Sequence, residues 1–161
     1  MMEKTEFVTK DNVHEATNLE KIRSLMANAE RLGENEVVKR CKKRIFEIAG
    51  NEGETEIEIR LFQALAAYEE ILREKHNKAV RANYTKRKIK NKGVIQTLTD
   101  WALDKKVTPG FEALVSQGLE DFTGEKIVID FAEEFPVEVV DSASIKLKGV
   151  LEEIENEKLS D

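Results

Sequence analysis

The stretch REKHNKAVRANYTKRKIKNKG, residues 73–93, holds nine basic side chains against one acid, Glu74. They are Arg73, Lys75, Lys78, Arg81, Lys86, Arg87, Lys88, Lys90 and Lys92. Phosphate is the group such a set suits, because every Lys or Arg that meets a nucleic-acid backbone neutralises a phosphate and releases a condensed counterion. Among the cations stand Asn83, Tyr84 and Thr85, whose polar atoms can bond phosphate or base edges and whose ring can stack on a base. Thr85 is also placed to cap a short helix, whose free N–H groups would themselves ligate phosphate. These twelve residues are the expected nucleic-acid contact.

A solvated helix face is the plainer explanation of any charge run. Such faces mix signs, since like charges at i,i+4 cost a few tenths of a kcal/mol per pair. Here the local balance is +8 in a chain of net charge −6. Residues 111–161 carry 14 acids and four lysines, a balance of −10. An acidic surface of the same chain, or of a partner protein, is therefore the main rival to nucleic acid for this patch. A second cluster, Lys39, Arg40, Lys42, Lys43 and Arg44, surrounds Cys41. Val37, Val38, Cys41 and Ile45 take the inward face, so these five cations are expected to point outward and to extend the first patch if the fold brings the two together.

Catalysis finds little support. His14 and His76 have no nucleophile or orienting carboxylate nearby, and the eight glycines form no phosphate-binding loop. The acids Glu120, Asp121, Glu125 and Asp130, with Lys126, are the one set that suggests a Mg²⁺-dependent nuclease. No catalytic residue, metal ligand or cofactor is assigned. The expected function is a non-catalytic nucleic-acid-binding protein or subunit, to DNA or RNA. A helical interaction module with a basic patch and an acidic C-terminal half is the alternative, and a metal-dependent nuclease the second.

Those residues need a scaffold. With 161 residues, 40% hydrophobic and 36% charged, two prolines and eight glycines, the chain is long enough for one core and reads as helix-rich. The single cysteine permits no internal disulfide, and a reducing cytosol is the expected setting. No apolar run approaches the roughly 18 residues of a membrane helix, and MMEKTEFVTKDN lacks the pattern of an export signal.

Residues 1–16 show no periodicity and are expected to be loosely ordered. A single α-helical domain is expected over 17–156, followed by a frayed acidic end at 157–161. TNLE at 17–20 reads as a capping box with Thr17 as cap, and Gly33 as its helix's stop. Asn35 should cap a second helix that ends at Gly50 and forms a hairpin with the first. TEIE at 55–58 opens a long helix into the high 70s. Residues 85–104 read as a short basic helix, a break at Gly93 and a helix bearing Trp101, an outline like a helix-turn-helix, with one continuous helix that tolerates the glycine at a cost of about 1 kcal/mol as the competing reading. Thr108–Pro109 starts another helix. KIVIDF fits strand or helix; helix is expected, because no partner strand exists to satisfy its hydrogen bonds. Pro136 opens the last helix. The predicted class is all-α, an irregular bundle of about eight helices.

Overall fold

A computed structural model describes residues 6–76 and 83–159, with the side chains of His76, Asn83 and Tyr84 outside the described set. The described residues form eight α-helices and no strand, the expected all-α bundle. The helices are α1 (Leu19–Leu32), α2 (Asn35–Gly50), α3 (Glu56–His76), α4 (Asn83–Lys92), α5 (Val94–Leu103), α6 (Pro109–Ser116), α7 (Gly124–Asp130) and α8 (Val137–Leu159). None is long and apolar enough to cross a membrane.

Local chemistry sets most boundaries. Gly33, at φ 73°, ends α1 in the left-handed conformation, and the Glu34 N–H then donates to the Ala29 carbonyl at 2.9 Å. Thr108 Oγ1 accepts from the Phe111 N–H at 3.2 Å with Pro109 in the first turn of α6. Thr123 does the same for α7, accepting from the Lys126 N–H at 3.2 Å. That cap makes KIVIDF helical, since it satisfies an N–H a lone strand would leave unpaired.

Three boundaries differ from expectation. The cap of α1 is Asn18, whose side chain accepts from the Lys21 N–H, and not Thr17. Thr17 is engaged elsewhere: its N–H and hydroxyl both donate to the Glu6 carboxylate, at 2.9 and 2.8 Å, and the Asn18 N–H adds a third bond at 2.8 Å. The Asn18 amide first, then Thr17, hold the Glu6 carboxyl below its usual range. This clamp fastens residues 6–16 to the domain; Val13 is fully buried and Ala16 nearly so, so the part of the N-terminal segment from residue 6 onward is held rather than loose. Asn35 lies within α2, with Glu34 at the cap position and no side-chain capping bond. The last helix runs to Leu159, past the fraying expected from residue 157.

Helix α3 joins the two main clusters of the core. Its Ala67 packs with Val13, Ile22, Met26, Cys41 and Phe46 of the N-terminal helices. Its Leu61 and Ala64 pack with Leu98, Ala102, Ile127, Val128 and Val139 of α5, α7 and α8. Cys41 is completely buried, as its place on the apolar stripe predicts, and burial pushes its thiol up to about 11. A thiol held protonated in this way is a packing group, not a nucleophile.

Candidate nucleic-acid interface

The basic segment is divided between the end of α3 and α4. Gly93, at φ 90°, breaks the chain after α4, and its carbonyl accepts from the Thr97 N–H and hydroxyl at 3.2 and 2.8 Å. A glycine is needed there because L side chains rarely adopt that conformation. Helix α4 folds back on α5, with Ile89 packed toward the second core cluster beside Val94 and Trp101. Lys88 Nζ bonds Asp100 at 2.8 Å and Lys86 Nζ lies 3.6 Å from Glu69. Lys88, then Gln96, hold the Asp100 carboxyl below its ordinary value.

This geometry sorts the twelve residues expected at the interface. Arg87, Lys90 and Lys92 are exposed and form no ion pair among the described residues. Lys75 is exposed at the end of α3, and Arg73 is half-buried beside Arg23, Glu70 and Lys86. Lys78 and Arg81 lie outside the described residues, as do the side chains of Asn83 and Tyr84. Thr85 corrects an expectation. It is the third residue of α4 and not its cap. Its side chain is half-buried over a cleft lined by Tyr68 and Trp101, so it faces the domain and cannot present a helix N-terminus to phosphate. The helix-turn-helix outline also changes meaning. Helix α5 contains no Lys or Arg and packs on α7 and α8, so it adds nothing to the basic surface.

The second cluster departs further from the outward arrangement. Lys42 is buried, with Nζ bonded to Gln117 Oε1 at 2.7 Å and to Glu74 Oε1 at 2.5 Å. It lies four residues after Val38 and three before Ile45, on the flank of the apolar stripe, where α3 and the end of α6 close over it. Arg44 Nε donates to the Ala16 carbonyl at 2.7 Å and Arg40 Nη1 to that of Lys10 at 3.3 Å, so both fasten the N-terminal segment. Lys39 and Lys43 are half-buried. The two clusters do meet where α2 packs on α3, but their point of contact is the neutralising Lys42–Glu74 pair. Replacing Lys42 with alanine is expected to cost about 2 kcal/mol in urea unfolding, since it strips a charged donor from two partners. A change below about 0.5 kcal/mol, ordinary for a surface lysine, would show that the buried bonds do not matter.

Of the acids of the nuclease reading, Glu125 and Asp130 are held in ion pairs, while Glu120 Oε2 is buried without a hydrogen-bond partner. Burial raises the Asp130 carboxyl, but bonds to Lys126 at 2.9 Å and Arg60 at 3.0 Å outweigh it and leave its pKa lowered. The Asp121 carbonyl accepts from Arg60 at 3.0 Å. Among the described residues no group of three or more His, Cys, Asp or Glu could hold a metal ion.

No family model, curated protein or solved structure matches the chain. What it can do is read from its own residues.

One arrangement has no distinct signal in the sequence. Glu125, in the first turn of α7, is buried against Lys146 of α8, with Nζ to Oε2 at 3.1 Å and side chains 5% and 7% exposed. Burial raises the Glu125 carboxyl and Lys146 offsets this only in part. The nearest signal was Lys146 beside the apolar positions Ala143, Leu147 and Val150, a placement that also suits a solvated lysine.

Proposed function

We propose that this chain is a non-catalytic nucleic-acid-binding protein or subunit that meets the phosphate backbone through the outer face of α4 and the end of α3. One observation carries the reading. Arg87, Lys90 and Lys92 stand exposed and unpaired among the described residues, on a helix pinned to the domain by Ile89 and by the Lys88–Asp100 bond. Arg87 and Lys90 are three residues apart and share a face, so one strand of phosphates can meet both. Cations fixed on a packed helix lose less freedom on binding than cations on a loose tail.

The test is binding to single- and double-stranded DNA and RNA across a salt series, with Arg87→Glu and Lys90→Glu combined as the control. Lys88 is left alone because reversing it would strip Asp100 of its ion-pair partner. Wild-type binding should fall steeply with salt, and the double reversal should weaken it about 100-fold while flattening the salt slope by about two phosphates' worth. Helicity by circular dichroism should be unchanged. Retention of wild-type affinity by the variant, or no binding to any of the four nucleic acids at low salt, would remove this reading.

Docking of a protein partner is the second reading, favoured by the outer face of α8. Val137 and Ile145 are 65% and 73% exposed. Ile145 lies in a groove with Val107 and Val150, bordered by Glu138, Asp141 and Glu153 and on another side by Lys105 and Lys146, an apolar strip whose acidic side suits a basic amphipathic partner.

A further inference from the structure

A cleft of about 320 Å³ opens between α3, α5, α6 and α8, at the low end of the size range of small-molecule sites. Its walls are Leu65, Leu72, Tyr68, Trp101 and Phe111. Tyr68 and Trp101 meet edge to face, with ring centroids 5.6 Å apart. Gly124 makes room for this wall, since a Cβ there would stand 2.4 Å from the Trp101 ring. The Glu125–Lys146 pair is the buried polar part of the lining.

That pair is incompletely satisfied. Lys146 Nζ donates to the Trp101 carbonyl at 2.8 Å and to Glu125 Oε2 at 3.1 Å. Glu125 is 4% exposed, and its second oxygen, Oε1, is buried without a hydrogen-bond partner. Folded proteins leave few buried polar atoms in this state, because each forfeits its hydration with nothing in return. The charged residues of the lining cancel, Asp104 and Glu125 against Lys106 and Lys146, so the cleft favours no net charge on what enters it.

We infer that this cleft binds a small, neutral, planar aromatic molecule whose N–H or O–H donor is directed at Glu125 while its ring lies against Tyr68 and Trp101. The aromatic and aliphatic walls supply the apolar contact, the volume limits the occupant to one or two fused rings with modest substituents, and the partnerless Glu125 oxygen at the buried end of the lining selects a donor. Thr85 of α4 lines the cleft but Arg87, Lys90 and Lys92 do not, and the inference stands whether or not nucleic acid binds to them.

Indole and benzofuran are the probes, nearly identical in shape and differing in whether the ring carries an N–H or an oxygen. Trp101 is the only tryptophan, so its indole N–H gives one assignable peak in ¹⁵N–¹H correlation spectra. Indole should shift that peak and the Gly124 amide saturably, and should bind at least about tenfold more tightly than benzofuran. Glu125→Leu combined with Lys146→Leu removes the acceptor without stranding a charge, and should abolish the difference between the probes. Should that variant not fold, the comparison on the wild-type chain still decides. Equal affinity for the two probes, or no saturable shift at Trp101 with millimolar indole, overturns the inference.

Discussion

Lys146→Met should lower folding stability by about 3 kcal/mol near neutral pH, and by less as the solution is acidified. Methionine keeps most of the aliphatic stem and deletes the ammonium, so the loss isolates the charge. Glu125 would then be a carboxylate 4% exposed with no cation beside it, and the Trp101 carbonyl would lose its donor from Lys146. The pH dependence follows from the direction of the Glu125 shift. Burial already raises this carboxyl above its ordinary 4.5 with Lys146 present, and without the lysine it rises further. An acid whose folded pKa lies above its unfolded one is penalised in the folded state as the pH rises past the unfolded value, and in full above the folded one. Below the unfolded value both states are protonated and the penalty vanishes. The variant's deficit should therefore be larger at about pH 8 than at about pH 5, the direction set by the raised Glu125 carboxyl. Urea unfolding at the two pH values checks this, and equal deficits at both would mean that Glu125 is not the group responsible. Replacing both residues with leucine should recover much of the loss, since a buried pair exchanged for apolar side chains of similar volume is often neutral or better.

Phe46→Ala should cost about 4 kcal/mol, in the range for buried aromatic truncations. Phe46 is fully buried where α2 meets α3, and its ring stands edge-on to Phe122 at 5.1 Å with an interplanar angle of 67°. The loss combines transfer of the ring to water, the cavity left behind and the aromatic contact itself. For a chain of this length it corresponds to a fall of about 12 °C in the thermal midpoint. Phe7, 78% exposed, supplies the control: its alanine variant should lie within about 0.5 kcal/mol of wild type. A Phe46 loss below about 1 kcal/mol would show that the first core cluster does not carry the fold.

Much of the fold was legible because its signals are local. Gly33 and Gly93 both take positive φ, and Thr108 caps the helix that Pro109 opens. Cys41 and Ile45 are buried on the stripe their spacing defines. Each of these depends on residues a few positions apart, whose interactions the helix period fixes before any tertiary contact forms. The misassigned cap at Thr17 has a non-local cause: Glu6, eleven residues upstream, takes the threonine's donors, and Asn18 assumes the capping role.

Local patterns along the chain specify the all-α fold of the described residues, most of its helix boundaries and the concentration of positive charge around α4. Tertiary structure decided which of those charges remain available. Lys88 is tied to Asp100, twelve residues on, and Lys42 to Gln117, seventy-five residues away, while Arg87 and Lys90 have no such partner among the described residues. Only the packed chain brings Glu125 to Lys146 beneath Tyr68 and Trp101. The physical reason is one of range: helix periodicity and capping are settled within a turn or two, whereas a charge's desolvation and its partner are set by whichever distant segment packs over it.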